Sequence, residues 1–331
     1  MSSAATSHSS GPRILAVRLG AMGDVIHALP AVASLKHSFP GSHLTWLIEP
    51  PWALLLDGNP YVDSVVLFER DKPSAWMRTW RKLRATRFDF AVDFQGLVKS
   101  ALAASMARPD RIFGLHQSQA RERPAALFYS NRIQTHAAHM VEQNIEIAAA
   151  AGAANILRTF PLPEGAPEGA LPESGFVLAC PLAGWRFKQW PLAFYSRLAV
   201  RLERELDLPL VLNGPPGAEL SGVIDAVPHY SSLAGLIHAT RRATAVIGVD
   251  SGPLHLAAAL GRPGVAIFGP TDPERNGPYG ESICVLRSPR AVTTYKRMST
   301  VDPAMLDIGP DHVFEALKAQ LSRSATQCAA P

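Results

Sequence analysis

Short apolar runs rich in β-branched residues alternate along the chain with longer segments whose apolar residues recur at helical spacing. This alternation predicts strands that each lead into a helix, and therefore an α/β fold built on parallel sheets. The strands predicted in the first half span residues 13–18, 43–49, 62–68, 88–96 and 111–115. The last of these is expected to close its sheet, and the arginine-rich segment after it, residues 117–132, is predicted to be a loop.

The second half shows the same alternation without repeating the sequence. Its predicted strands span residues 176–180, 208–213, 245–249 and 265–268. Helices are predicted over residues 192–206 and 231–239, and a further helix is expected to start near Glu219. A last helix is predicted over residues 310–322, and packing back across the first domain is one arrangement open to it.

Proline and glycine divide the chain into two domains. Residues 160–175 contain four prolines and three glycines, so we interpret this segment as an inter-domain linker. The other predicted parts are a disordered tail, two domains, and a C-terminal helix with its own tail: residues 1–12, 13–159, 176–310 and 311–331. Two Rossmann-like, doubly wound domains facing each other across a cleft are the natural assembly of this pattern.

The amino-acid composition indicates which broad class of protein this chain belongs to. Of the 331 residues, 47% are hydrophobic and 18% charged, which is typical of a folded globular protein. No stretch approaches the roughly 18 uncharged apolar residues of a membrane span, and residues 1–12 lack the regions of a signal peptide. The three cysteines cannot all pair and show no metal-ligand spacing, which favours a reducing cytoplasm. No metal site is predicted.

The basic residues have two interpretations. The net charge of +4 fits an ordinary protein surface, but it also fits attraction to anionic lipid or to a phosphorylated substrate. Residues 76–87 form a predicted amphipathic helix with five arginines and lysines. A solvated helix face is the commoner explanation for such a pattern, and a face presented to acidic lipid or sugar phosphates is the alternative.

The main candidate site lies where two apolar strands end in residues without bulky side chains. One strand runs into Asp250, Ser251 and Gly252 at the start of a helix, and the next ends in Gly-Pro-Thr-Asp, residues 269–272. Ligands of open α/β sheets bind outside the carboxyl ends of strands, where helix N-termini offer free N–H groups. The pattern therefore predicts a pocket for a phosphorylated ligand. Lys188, just before another predicted helix, is either a diphosphate contact or a surface lysine.

A second candidate lies after the first strand. The turn there contains only Gly20 and Gly23, so it matches a dinucleotide fingerprint poorly and an oxidoreductase is a weak hypothesis. Asp24 follows this turn and is suited either to capping the next helix or to acting as a general base at the strand end. His139, beside the arginine-rich segment, is a further candidate, although a lone histidine is usually structural.

Four motifs occur together in one order: residues 20–30 (Gly-Ala-Met-Gly-Asp-Val-Ile-His-Ala-Leu-Pro), 93–100 (Asp-Phe-Gln-Gly-Leu-Val-Lys-Ser), 188–191 (Lys-Gln-Trp-Pro) and 249–272. With them, nearly the whole chain resembles the lipopolysaccharide-core heptosyltransferases, and most closely their heptosyltransferase I branch. This family consists of inverting glycosyltransferases that have the GT-B fold and use ADP-heptose. The resemblance implies an N-terminal acceptor-binding domain and a C-terminal domain that binds the nucleotide sugar.

The resemblance also implies roles for single residues. Asp24 would be the general base and Lys188 would hold the donor diphosphate. The implied donor-binding residues are Asp250 at the heptose, Ser251, Gly252 and His255 at the phosphates, Glu219 at the ribose, Ser231 near the adenine, and Gly184. The implied acceptor-binding residues are Arg121, His139, Gln95 and His27. Where relatives have threonines before the lysine, this chain has Ala183 and Gly184, so backbone N–H groups would replace their hydroxyls.

The implied reaction is a single displacement on ADP-heptose with a lipid A–Kdo acceptor at the inner leaflet, catalysed by a cytoplasmic, peripheral membrane protein. No Asp-x-Asp pair is associated with these motifs, so no metal or other cofactor is expected, and nucleic acid is not an expected partner. Domain closure would bring Asp24 and Lys188 together. Two alternatives remain: an ADP-heptose-dependent transferase with another acceptor, such as a protein, and a non-catalytic nucleotide-sugar-binding protein.

Overall fold

The chain forms two compact units, Met1–Pro161 and Leu162–Pro331. The computed structural model describes residues 11–69, 73–220, 222–294, 296 and 298–328, so most of the tail predicted over residues 1–12 lies outside the described residues. Within the described part, each unit contains one six-stranded sheet whose strands all pair in parallel. The predicted α/β class is confirmed.

The first unit alternates strands and helices as the sequence predicts. Its elements are β1 (Arg13–Val17), α1 (Met22–Ser38), β2 (His43–Ile48), β3 (Ser64–Leu67), α2 (Pro73–Arg84), β4 (Phe90–Asp93), α3 (Val98–Met106), β5 (Arg111–Leu115), β6 (Asn131–Ile133) and α4 (Met140–Ala150). The strand order is β3-β2-β1-β4-β5-β6. The prediction that β5 closes this sheet is wrong, because the arginine-rich segment leads into β6, which pairs with β5.

The second unit has the same kind of alternation. Its elements are β7 (Val177–Cys180), α5 (Leu192–Leu206), β8 (Leu210–Gly214), β9 (Ala226–Tyr230), α6 (Leu233–Arg242), β10 (Ala245–Val249), α7 (Gly252–Ala259), β11 (Gly264–Phe268), α8 (Pro273–Asn276), β12 (Ile283–Arg287), α9 (Pro303–Leu306) and α10 (Pro310–Cys328). The strand order is β12-β11-β10-β7-β8-β9. The described residues between β8 and β9, 215–220 and 222–225, contain no helix, so the helix expected near Glu219 is not found there.

The proline-rich segment has no helix or strand, as predicted, but most of it is packed on the second unit. We name residues 162–175 the strap. Arg241 of α6 donates hydrogen bonds to the carbonyl oxygens of Leu162 and Pro163, and the Ala166 N–H donates to the carbonyl of Ala234 at 3.1 Å. The strap is therefore a fixed part of the second unit along α6.

The C-terminal helix α10 belongs to the core of the second unit. Its side chains Val313, Phe314 and Leu317 are fully buried in the same cluster as residues of α5 and β11. The apolar face of α10 is therefore buried within the second unit.

Both sheets reverse their direction of winding at one pair of strands. In the first unit this pair is β1 and β4, and in the second it is β7 and β10. The loops that leave the carboxyl ends of such a pair turn to opposite faces of the sheet, which opens a crevice where ligands of open α/β sheets bind. Asp24, Gln95, Lys188 and Asp250 follow these four strands, so the topology explains why these chemistry-bearing side chains lie at the winding reversals.

Candidate functional site

Asp24 is the third residue of α1 and lies beyond the carboxyl end of β1. Its Oδ2 accepts a hydrogen bond from the Ala21 backbone N–H at 3.3 Å, which is the contact expected of a helix-capping residue. Its Oδ1 lies 2.7 Å from Nη2 of Arg18, and the side chain remains 31% exposed. The carboxylate therefore satisfies the helix end and still faces solvent, so the two roles considered for Asp24 are compatible.

Arg18 is a site residue that the sequence analysis missed. It follows the last residue of β1 and is 3% exposed, although arginine is seldom buried without partners. One end of its guanidinium donates to the Phe94 carbonyl beyond β4, and the other end holds Asp24. The signal available in the sequence was a charged residue closing an otherwise apolar strand immediately before the glycine turn.

Gln95 connects the two strands at the winding reversal. Its Oε1 accepts from the Leu19 N–H at 2.7 Å, and its own N–H donates to Oδ1 of Asp93 at 2.8 Å. Asp93 is fully buried and also accepts hydrogen bonds from Tyr129 and Ser100. Burial raises the pKa of Asp93 despite these donors, and burial together with the neighbouring carboxylate raises the pKa of Tyr129. Gln95, predicted as an acceptor contact, thus anchors the turn that carries Asp24.

Arg121 reaches the same carboxylate from the arginine-rich segment. Its Nη1 lies 3.9 Å from Oδ2 of Asp24, and its side chain is 61% exposed. The segment is fixed at the turn after β4, where the Glu122 N–H donates to the Gly96 carbonyl at 2.9 Å. Gly96 has a φ of +68°, and a Cβ there would lie 3.2 Å from the Arg121 nitrogen, so this approach favours glycine.

The structure also brings His27 and His139 together. His27 is one turn along α1 from Asp24 and is 4% exposed, and its ring packs edge-on against that of His139 with 5.5 Å between centroids. His139 caps α4, since its Nδ1 accepts from the Val141 N–H at 3.1 Å. Two of the four predicted acceptor residues are therefore in ring contact, and Arg121 lies beside the proposed base.

The second unit has a buried ion pair at its own winding reversal. Asp250 follows β10 and is 8% exposed, with Nζ of Lys188 at 2.5 Å and Nε2 of His255 at 3.6 Å from its two carboxylate oxygens. Burial alone would raise the pKa of Asp250, but the hydrogen bond from His255 and the charge of Lys188 outweigh it and hold the pKa well below its usual range. Asp250 thus contacts two other predicted donor-site residues.

Lys188 is held on two further sides. Its Nζ lies 4.5 Å from the centroid of the Trp185 ring, a cation–π geometry. The short 3-10 turn Arg186–Lys188 is fixed to the start of α9, because the Asp302 N–H donates to the Phe187 carbonyl at 3.2 Å. The lysine is therefore a positioned cation, with a side chain only 16% exposed, rather than a free surface lysine.

Two buried hydroxyl groups beside this ion pair have no hydrogen-bond partner among the described residues. One is Oγ of Ser251, the N-cap of α7, which makes no capping hydrogen bond, and the other is Oγ1 of Thr271, after β11. Gly252 follows Ser251 as the first residue of α7. Burial of a hydroxyl without a hydrogen-bond partner costs free energy of folding. The segments after β10 and β11 therefore contain hydrogen-bonding groups that the protein itself does not use. Thr271 lies in a predicted motif but was not chosen as a site residue.

No contact that the structure describes joins the other three predicted donor residues to Lys188. Glu219 is exposed on the irregular passage between β8 and β9. Ser231 is 5% exposed and accepts a hydrogen bond from Nδ2 of Asn213 at 2.7 Å. It therefore takes part in a buried polar network beside β8 and the edge strand β9. Gly184 is exposed, and a Cβ there would meet nothing within 4 Å.

The described residues lack two further kinds of feature. None of the helices there is long and apolar enough to span a bilayer. The same part of the chain contains no group of three or more His, Cys, Asp or Glu side chains placed to hold a metal ion.

Comparisons with known proteins give consistent matches. A family model described as glycosyltransferase family 9 (heptosyltransferase) matches residues 76–304. Lipopolysaccharide heptosyltransferase 1 of Pseudomonas aeruginosa is 31% identical over 297 residues, which cover 82% of this chain and 82% of that protein. The protein of the same name from Escherichia coli K12 is 30% identical over 317 residues, covering 84% of this chain and 94% of its own length.

Solved structures show the same relationship in three dimensions. The E. coli heptosyltransferase WaaC with ADP matches with a TM-score of 0.74 at 25% identity, over 93% of this chain and 99% of that one. The E. coli ADP-heptose lipopolysaccharide heptosyltransferase II matches with a TM-score of 0.75 at 21% identity, over 95% of this chain and 99% of that one. The predicted GT-B class is therefore confirmed at the level of the fold.

Proposed function

Because the chain belongs to glycosyltransferase family 9, the heptosyltransferases, we propose that it transfers heptose from ADP-heptose to the Kdo sugar of the lipopolysaccharide inner core, with inversion at the anomeric carbon. The names of its relatives support the acceptor, and a WaaC structure with ADP-2-deoxy-2-fluoro heptose supports the donor. The observation that carries the mechanism is the positioned, part-exposed carboxylate of Asp24, held by the buried Arg18 at the winding reversal of the first sheet.

In the proposed reaction, Asp24 removes the proton from the attacking hydroxyl of the acceptor. The acceptor oxygen forms a bond to the anomeric carbon while the bond from that carbon to the phosphate oxygen breaks, and ADP leaves with the electron pair. Attack from the face opposite the leaving group inverts the configuration, as it does in inverting glycosidases. Arg18 is a positioning residue, since it is buried and fixes the orientation of the carboxylate.

Lys188 stabilises the charge that grows on the departing diphosphate. A preorganised cation contributes to catalysis when its contact with the leaving group tightens in the transition state. Asp250 and His255 position this lysine, and Asp250 also accepts from heptose hydroxyls. The buried hydroxyl of Ser251 and the backbone N–H of Gly252 at the start of α7 bind the phosphates. Gly184 supplies a further backbone N–H, and Glu219 and Ser231 lie toward the ribose and the adenine.

The acceptor is bound by the first unit in this proposal. Arg121 and His139 meet the acidic sugars, and His27 and Gln95 support them from α1 and from the turn after β4. The acceptor is lipid-linked, so we place the reaction at the cytoplasmic surface of the inner membrane. We also propose that the reaction needs no metal ion, in which case turnover is the same with and without a chelator.

The test is the release of ADP from ADP-heptose in the presence of a deacylated, Kdo-bearing lipid A acceptor. We expect release to require the acceptor and to fall at least about 100-fold in Asp24→Asn, because general bases contribute factors of this order. Asparagine still accepts the hydrogen bond of the Ala21 N–H, so the helix cap is retained. Donor binding, measured by calorimetry, should be unchanged in this variant.

Asp63→Asn is a matched control. Asp63 lies in the first unit, is 31% exposed like Asp24, and forms an ion pair with Lys36 at 2.6 Å. We expect this control to keep full turnover. Binding of ADP-heptose without acceptor-dependent release would instead indicate another acceptor or a non-catalytic binding protein, and absence of donor binding would overturn the donor assignment.

A further inference from the structure

One face of helix α2 packs on the core of the first unit, and another face is exposed to solvent. Trp76 packs edge-on against Phe68 with 4.7 Å between centroids, the Thr79 hydroxyl donates to the Leu67 carbonyl at 3.0 Å, and Leu83 is fully buried. These residues anchor the helix on the sheet. Met77 and Trp80 point elsewhere and are 50% and 36% exposed, so a large apolar area remains in solvent.

The exposed residues form one continuous stripe. Met77, Trp80, Arg81 and Arg84 follow the i, i+3, i+4, i+7 spacing that places side chains along a single helix face. The Arg84 guanidinium lies 5.7 Å from the Trp80 ring centroid, so apolar and cationic groups are interleaved along this face. We name these four residues, together with the flanking cations Arg78 and Lys82, the basic stripe.

Helix α2 carries a net positive charge. Residues 73–84 contain four arginines and lysines and no acidic residue. Arg78 pairs with Glu69 at 3.3 Å, whereas no ion pair of Arg81, Lys82 or Arg84 occurs among the residues that the structure describes.

We infer that the basic stripe of α2 docks the protein on the surface of an anionic lipid bilayer. Tryptophan is favoured at the headgroup level, where its ring is in an apolar layer and its N–H in a wet one. Cations of an interfacial helix lie among anionic headgroups, and the apolar residues enter the acyl boundary. A nucleic acid would use the cations and stack a base on Trp80, but it would leave Met77 without an apolar partner. The inference rests on the proposed function only in supposing that the acceptor is lipid-bound.

The first experiment measures binding of the full chain to vesicles by flotation at low ionic strength. We expect strong binding to vesicles of phosphatidylcholine with phosphatidylglycerol and little binding to phosphatidylcholine alone. Arg81→Gln/Lys82→Gln/Arg84→Gln should reduce binding to the anionic vesicles at least tenfold, since one cation near such a surface contributes about fivefold. Trp80→Ser should reduce binding without changing the charge.

A matched control removes the same charge elsewhere. Arg197, Arg204 and Lys318 are exposed cations of α5 and α10 in the second unit, and Arg197→Gln/Arg204→Gln/Lys318→Gln should bind anionic vesicles nearly as well as the wild type. Equal losses in both triple variants would overturn the inference, because net charge rather than the basic stripe would then control binding. Binding of the wild type that does not depend on anionic lipid would also overturn it.

Turnover separates docking from contact with the substrate. With a water-soluble, deacylated acceptor, the α2 triple variant should match the wild type, and with acceptor embedded in anionic vesicles it should be at least tenfold slower. A loss of turnover on the soluble acceptor would identify α2 as an acceptor contact and overturn the docking role. If the wild type turns over neither acceptor, the proposed function fails, while the flotation result still tests docking independently.

Discussion

The two terminal nitrogens of the Arg18 guanidinium have different partners, and for this reason Arg18 can fix the position of the Asp24 carboxylate. One end is held by the Phe94 carbonyl, so the other end presents a fixed donor to Asp24. Arg18→Met removes that donor while retaining an apolar side chain of similar length. We expect kcat to fall about 100-fold, because small displacements of a catalytic group have effects of this size.

The measurement compares kcat with the Kd of the donor. Donor binding should be unaffected in Arg18→Met, since the proposed donor residues all lie in the second unit. Arg18→Lys keeps the charge but cannot contact Phe94 and Asp24 through two separate nitrogens, so it should recover only part of the activity. Full activity in Arg18→Met would show that Asp24 needs no positioning partner.

The buried pair of Lys188 and Asp250 makes a prediction about stability. Lys188→Met leaves Asp250 buried with His255 as its remaining partner, and we expect the free energy of unfolding to fall by roughly 3 kcal/mol. Asp250→Asn should also destabilise, and the double variant should cost less than the sum of the two by roughly 1–3 kcal/mol. Urea denaturation of the four proteins measures this coupling.

The same cycle on Lys99 and Glu49 provides a comparison within the first unit. These side chains are 3.0 Å apart but more exposed, at 32% and 16%, so solvent screens their interaction. Their coupling should be under about 1 kcal/mol. Equal coupling in the two cycles would contradict the argument that burial makes the donor-site pair strong.

At the scale of elements, the sequence was sufficient to predict strands whose two faces are both buried. β1 and β10 read as uninterrupted apolar runs because each is buried on both sides, and their ends could be located from the turn residues that follow. Three edge strands, β6, β9 and β12, were missed. The strand β12 contains the apolar run Ile-Cys-Val-Leu and could have been recognised. In contrast, β6 has only three residues, and β9 has a proline at its centre. Neither shows the apolar run by which strands are recognised.

The candidate site, like the fold, could be predicted only in part. Asp24, Lys188 and Asp250 could be chosen because they follow strand ends next to helix starts. Arg18 was missed although it is a charged residue at the end of an apolar strand, because its role depends on the pairing of β1 with β4, whose contacting residues are 76 positions apart. The helix expected near Glu219 was wrong for a local reason: the turn after β8 continues as an irregular segment that leads to the edge strand β9.

The strap makes a prediction of its own. Gly165 has a φ of +76°, and a Cβ there would lie 2.4 Å from the Ala234 carbonyl oxygen on α6. Gly165→Ala should therefore cost the left-handed backbone penalty of about 1 kcal/mol and a further term for displacing the strap. Gly217→Ala is the control, because its φ is +85° and its Cβ would meet nothing within 4 Å.

Thermal unfolding of both variants tests this prediction. Gly217→Ala should lower the melting temperature slightly and Gly165→Ala clearly more, with faster hydrogen exchange in α6. Equal shifts would mean that the strap is not held as tightly as its hydrogen bonds to α6 indicate.

At the scale of the whole molecule, the two units should differ in their response to acid. Donors or cations lower the pKa of four carboxyl groups in the second unit, Glu168, Glu205, Asp250 and Asp307, and that of Asp63 in the first unit. Hydrogen bonds from Arg201 lower the pKa of Glu205 to about 2. In the first unit, burial raises the pKa of Asp93.

The direction of the effect follows from these shifts. A carboxyl group whose folded pKa is lowered contributes stability above its unfolded pKa near 4, and that stability is lost as the pH falls through the folded pKa. Asp93 has the opposite sign, because the folded first unit binds its proton more tightly and gains stability on acidification. We therefore expect the second unit to lose stability faster than the first between about pH 5 and pH 2.

Hydrogen exchange read by mass spectrometry resolves the two units. After correction for the intrinsic exchange rate, protection should fall first in peptides of α5, α6 and α10 as the pH is lowered. Added salt should reduce the difference, since Glu205 and Asp307 are in exposed ion pairs. Earlier loss of protection in β1 and β4 would contradict the assignment.

The strand pairs at the winding reversals also determine when each site can exist during folding. The contact of Leu19 with Gln95 spans 76 residues, and that of Lys188 with Asp250 spans 62. Contacts this distant in sequence form late, because loop-closure entropy is lost before they form. During synthesis, the turn before Asp24 leaves the ribosome long before the strand that anchors it, and Lys188 precedes Asp250 in the same way. In each unit, the candidate site therefore forms only when the strands on the two sides of the winding reversal have paired. A folding intermediate in which only one side of a sheet has formed would have no catalytic activity.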